Sequence, residues 1–118
     1  MSWTHYKDLS VWQKAMDLTD EVYRLVKLLP KEETYALSDQ IRRSVVSIPS
    51  NIAEGRGRQS DADFRHFLYI AKGSCFELET QLLICVRLNY LDNEKVSKAL
   101  SFSDEVSRML TVLIKSIT

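Results

Sequence analysis

Apolar positions recur along this chain at spacings of three and four. Leu9, Trp12, Met16, Thr19, Tyr23 and Val26 form one such row, and Val11, Ala15, Leu18, Val22, Leu25 and Leu29 run beside it. A wide stripe of that period buries one side of an α-helix, so residues 9–29 are predicted helical. Ser10 with Gln13 three residues on fits a capping box, and Pro30 stops the segment. A second helix is predicted over 34–57, with Leu37, Ile41, Val45, Ile48 and Ile52 on one face and Gly55 and Gly57 at its exit. Pro49 lies inside it. Because the apolar period stays in phase from Val45 to Ile52, the expectation is one helix kinked near Pro49 rather than two.

The third helix, 60–89, opens on Ser60 and Asp63, with Asp61 and Asp63 where the helix dipole favours negative charge. Its core face is Phe64, Phe67, Leu68, Ala71, Cys75, Leu78, Leu82, Cys85 and Val86. Asn89 to Asn93 makes a turn in which Asp92 is the expected N-cap. The fourth helix, 92–117, carries Val96, Leu100, Val106, Leu110, Leu113 and Ile117. Short connections between long helices make sequential neighbours antiparallel. The fold class is therefore all-α, a single-domain, antiparallel up-and-down four-helix bundle.

Composition narrows the function classes. Three glycines and two prolines in 118 residues leave few turns for an all-β fold. Sixteen basic residues balance sixteen acidic ones, and the balance holds in each quarter of the chain. Long-range attraction to nucleic acid or anionic lipid thus has no global support, and any basic patch must be made by folding. No apolar run reaches the roughly 20 residues of a membrane span, and Met1 to Lys7 lacks the apolar centre of a secretory signal. With two cysteines expected to stay reduced, the location expected is the cytoplasm.

Candidate chemistry thins out when each group is placed on its helix. Cys75 and Cys85 stand ten residues apart on one helix, about 15 Å in rise, too far for a disulfide, and both fall among core positions. His66 lies nine residues from Cys75 on the same helix, about 13 Å in rise, and off the core arc, so it makes no dyad with that thiol. Acidic pairs such as Asp61/Asp63 and Glu77/Glu79 fit caps or solvated faces. Glu54 to Arg58 contains a GxG but follows a helix, the wrong context for a dinucleotide fingerprint. The expectation is no enzyme, no metal, no cofactor and no small-molecule substrate.

More informative is a polar row beside the core. Gln40, Ser44, Ser47, Asn51, Glu54 and Arg58 lie within about 80° of the second helix's circumference. The third helix answers with Gly73, Ser74, Glu77 and Gln81, alternating with Ile70, Ile84 and Leu88 outside the core arc. Faces with few charges and several aliphatics serve as packing surfaces. Gln40, Ser47, Asn51, Glu54, Ser74, Glu77 and Gln81 are accordingly the candidates for a buried polar network or a subunit interface. Arg42, Arg43, Arg56 and Arg58, joined by Arg65 and Lys72, are the candidates for nucleic-acid phosphate contact. Ion pairs with Asp39, Glu54 and Asp63 explain the same arginines without a ligand.

Four ordered blocks carry a family resemblance. They are Leu9-Ser10-Val11-Trp12-Gln13-Lys14-Ala15, Leu29-Pro30-Lys31-Glu32-Glu33-Thr34-Tyr35-Ala36-Leu37, Gln40 to Ser44 continuing through Ser47 to Gly55, and Phe67 to Ser74 followed by Glu77-Leu78-Glu79. In these the chain resembles the bacterial 23S rRNA-intervening-sequence proteins over nearly its whole length. The resemblance implies an antiparallel four-helix bundle, a ring-like homopentamer and no enzymatic activity. A related accessory protein of diversity-generating retroelements shares the bundle and binds a reverse transcriptase and nucleic acid. Two functions are therefore expected in competition: a homo-oligomeric module scaffolding a macromolecular partner, or an RNA- or DNA-binding accessory factor.

Overall fold

In the computed structural model, which describes residues 5–117, the apolar periods become four helices: α1 Ser10–Val26, α2 Leu37–Arg56, α3 Asp61–Arg87 and α4 Asn93–Ser116. Single 3₁₀ turns, Tyr6–Asp8 and Lys31–Glu33, precede α1 and α2. The helices are shorter than the apolar rows. Leu29, for instance, is buried although the chain has already left α1, because a turn can aim one more side chain at the core without continuing the helix.

The caps show which local signals the chain uses. Ser60 accepts a hydrogen bond from the Asp63 amide at 3.1 Å, and Asp92 accepts one from the Lys95 amide at 2.8 Å, each supplying an acceptor to an orphan first-turn donor. The predicted capping box at Ser10 does not form. Ser10 is the first helical residue, the N-cap is Leu9, and the Gln13 side chain donates instead to the Lys7 carbonyl at 2.8 Å. The preceding 3₁₀ turn supplies that closer acceptor. Asn89, at φ 62°, takes the left-handed position that ends the α3 turn. Gly57 ends α2 with φ −80°, so it does not use a glycine's left-handed freedom. Pro49 is buried within α2 and does not end it, at the cost of one amide donor to the Val45 carbonyl.

Each helix packs against its two neighbours, and α1 closes on α4. The directions alternate: Ser74 meets Ser47, Arg65 donates to the Ile117 carbonyl, and Lys14 pairs with Glu105 while Lys98 approaches Glu21. Leu18, Leu25, Ile41, Ile48, Ile52, Leu68, Leu78, Leu82 and Leu110 are fully enclosed. Each removes about 1.5–3 kcal/mol of apolar exposure from water. Of the two rows on α1, Val11 to Leu29 faces this core. In the other, Met16 and Tyr23 remain 40% and 39% exposed, because α2 and α4 close over only one of them. Small residues on α4, Ala99, Ser103 and Ser107, let that helix approach closely. The Ser103 hydroxyl donates to Glu79 Oε1 at 3.1 Å, with the Cys75 carbonyl oxygen 3.5 Å away.

Candidate interaction surface

The seam between α2 and α3 gathers part of the polar row. Asn51 Nδ2 donates to the Ser47 carbonyl at 2.7 Å and to Ser47 Oγ at 2.8 Å. Ser74 Oγ donates to Ser47 Oγ at 2.9 Å, joining the helices through small hydroxyls that fit where two backbones run close. Ser44 is also buried, its hydroxyl returned to the Gln40 carbonyl at 3.0 Å. Ser47, Asn51 and Ser74 are thus one network. Gln40, Glu54 and Glu77 are not part of it: all three are exposed, and Glu54 pairs with Arg58 at 3.1 Å.

Gln81 is the odd member. It is only 7% exposed, and its Oε1 has no hydrogen-bond partner among the described residues. Seven residues from the Ser47–Ser74 contact along each antiparallel helix, Gln40 and Gln81 come to the same level of the seam. A buried amide oxygen without a donor costs about 1–3 kcal/mol unless water or another molecule supplies one.

Beside this seam the outer face of α3 carries large apolar side chains, with Glu77, Thr80 and Arg87 exposed among them. Tyr69, Phe76, Leu83 and Leu88 are 56%, 53%, 49% and 50% exposed, and Ile70 and Ile84 are each 39% exposed. Ile70, Ile84 and Leu88 stand out in the sequence as lying off the core arc. Tyr69, Phe76 and Leu83 do not, although their spacing of seven is a heptad signal on the side opposite the core. Gly73 sits on the same face, and among the described residues nothing lies within 4 Å of where its Cβ would be.

The arginines divide between the ends of α2. Arg42 donates to the Thr34 carbonyl at 2.9 Å, closing the loop before α2, and Arg43 pairs with Asp39 at 2.9 Å. Fourteen residues further on, about 21 Å in rise, Arg56 stacks 5.5 Å from the Phe64 ring centroid and Arg58 lies 4.9 Å from that of Phe67. No single basic strip joins the four. Arg65 belongs to the α4 terminus through Ile117.

Both thiols are fully buried, and burial pushes Cys75 up to about 12 and Cys85 to about 11. His66 is exposed, its ring edge-on to Phe67 at 5.6 Å. Among the described residues no three His, Cys, Asp or Glu side chains converge as metal ligands, and no helix is long and apolar enough to cross a membrane. One buried carboxylate gives no warning in the sequence. Glu21, 5% exposed, bonds Arg24 through Oε1, with Lys98 4.0 Å away, while its Oε2 has no partner among the described residues.

Comparison with known proteins agrees with this architecture. The chain is similar to the solved structure of a protein of unknown function from the S23 ribosomal protein family of Bacteroides thetaiotaomicron VPI-5482. Identity is 33%, with 89% of this chain and 98% of that chain covered and a TM-score of 0.82. No curated protein matches. The solved relative has no assigned activity, so no enzymatic family is indicated. The family model described as "23S rRNA-intervening sequence protein" matches residues 7–112, and with that match over most of its length the chain belongs to this family.

Proposed function

We propose that the protein is a non-catalytic bundle that assembles with copies of itself, five to a ring, and presents the assembled surface to a macromolecular partner. The observation that carries this reading is the set of large apolar side chains on the outer face of α3, bordered by the buried Gln81 oxygen, which has no donor among the described residues. Isolated exposed aliphatics are ordinary on a protein surface, but six along one helix face form a patch of the kind that partners cover. Closed rings join two different patches on each subunit. The flank of α1 and α2 supplies a second one in Met16, Tyr23 and Val46, which are 40%, 39% and 41% exposed. Five is the number that the family resemblance implies.

Light scattering on a sizing column, at low and moderate salt, tests the proposal. A pentamer-sized mass at both salts is the expected outcome, because apolar contacts are not screened. A monomer at micromolar concentration would sink it.

The alternative is an RNA- or DNA-binding accessory factor using Arg42, Arg43, Arg56 and Arg58. Against it, Arg42 closes the loop before α2, and Arg43 and Arg58 hold ion pairs with Asp39 and Glu54.

A further inference from the structure

Gly73 stands in the middle of α3, where glycine weakens a helix relative to alanine. Among the described residues nothing calls for it: its φ is not positive, and no atom lies within 4 Å of where its Cβ would stand. Gly55, by contrast, is held small by Phe64 and Phe67. Tyr69 and Phe76, 56% and 53% exposed, lie one turn to either side of Gly73, so the absent side chain leaves a notch between two large rings. Such a notch lets a side chain of a second helix enter and its backbone come close.

The Ser47–Ser74 contact sets the heights along the bundle. On these antiparallel helices Val46 and Gly73 lie two residues apart in level, about 3 Å in rise, and Arg43 and Glu77 only one residue apart. Val46 is 41% exposed, on the flank that α2 shares with Thr19 and Tyr23 of α1. The Arg43 side chain is 80% exposed beyond its pair with Asp39, and Glu77 is exposed with no ion pair among the described residues. A closed ring whose axis runs along the bundle relates its subunits by rotation alone, so different patches at equal height meet.

We propose that Gly73 receives Val46 of a neighbouring copy, whose α2 runs antiparallel to α3 and sets Arg43 beside Glu77. The assignment rests on ring assembly and names the element of the second copy that covers α3. The apolar knob supplies the contact, and the exposed charge pair fixes its register, since such pairs orient partners more than they bind them.

Light scattering on a dilution series of the full chain tests this. Gly73→Leu fills the notch and should raise the concentration at which the assembly dissociates about tenfold or more, and adding Val46→Ala should recover most of that loss. Arg43→Glu and Glu77→Arg should each weaken assembly at low salt, and the two together should restore it. Phe76→Glu is the reference, because it disrupts any assembly through this face of α3. Unchanged dissociation for Gly73→Leu beside a dispersed Phe76→Glu would overturn the Val46 contact and leave ring assembly standing. Losses that neither second substitution relieves would also overturn it. A monomeric parent would overturn ring assembly itself, and this contact with it. Unfolding midpoints of samples dilute enough to be monomeric separate misfolding from dissociation. There Gly73→Leu should match or exceed the parent, since leucine is the better helix former and its Cβ meets nothing among the described residues. A lower midpoint would overturn the notch.

Discussion

At the scale of single residues, Gly55 is held by its neighbours rather than by its turn. A Cβ added there would stand 2.6 Å from Phe67 Cβ and 3.1 Å from Phe64, and the nearest of these atoms is fixed to the α3 backbone. Gly55→Ala should therefore push α2 and α3 apart and cost about 1–3 kcal/mol in urea unfolding, despite alanine's better helix propensity. Cys75 makes a second prediction. Its thiol is raised from 9.0 to about 12, chiefly by burial, while the unfolded chain ionises near the ordinary value. The folded state thus favours the protonated thiol, so this contribution is fully present below pH 9.0 and is lost as pH rises toward about 12. Urea midpoints from neutral pH to about pH 10 should fall more steeply for the parent than for Cys75→Ala. Equal slopes would contradict this account.

Helix starts behave differently from one another, and the difference is measurable. Ser60 and Asp92 each hold a first-turn amide, so replacing either with alanine should cost about 1 kcal/mol. Ser10 resembles them in sequence but caps nothing, so Ser10→Ala should stay within about 0.5 kcal/mol of the parent. The three variants, compared by chemical unfolding, separate cap chemistry from cap-like spelling. At the same scale α2 shows what tertiary packing tolerates: a buried proline sits in mid-helix because neighbouring helices enclose that turn.

For the whole molecule, the arrangement of the four helices gives α3 two apolar sides, one in the core and one facing outward. Phe76→Glu and Leu83→Glu alter exposed positions, so they should leave helicity and unfolding midpoints nearly unchanged. On the proposed assembly they should release monomers in light scattering, because a carboxylate buried against an apolar face lacks a partner. An unchanged oligomer mass would place the interface elsewhere.

Much of the fold is legible in the amino-acid sequence. The periods of Val11 to Leu29, Leu37 to Ile52, Phe64 to Val86 and Val96 to Ile117 specify four helices, because a 3.6-residue repeat has one apolar side to bury. The caps at Ser60 and Asp92, the buried thiols and the even charge are equally local properties. The pairing of Ser47 with Ser74 is suggested by two polar rows, yet only the antiparallel register brings those two into contact and leaves Gln81 Oε1 without a donor among the described residues. Tertiary structure alone decided which row of α1 is enclosed, why position 55 admits no side chain, and that the four arginines form two separate ends. It also placed the charged Glu21 inside, beside Arg24 and Lys98. Periodicity encodes how one helix divides its circumference, whereas these outcomes depend on where a neighbouring helix stands, which no single segment contains.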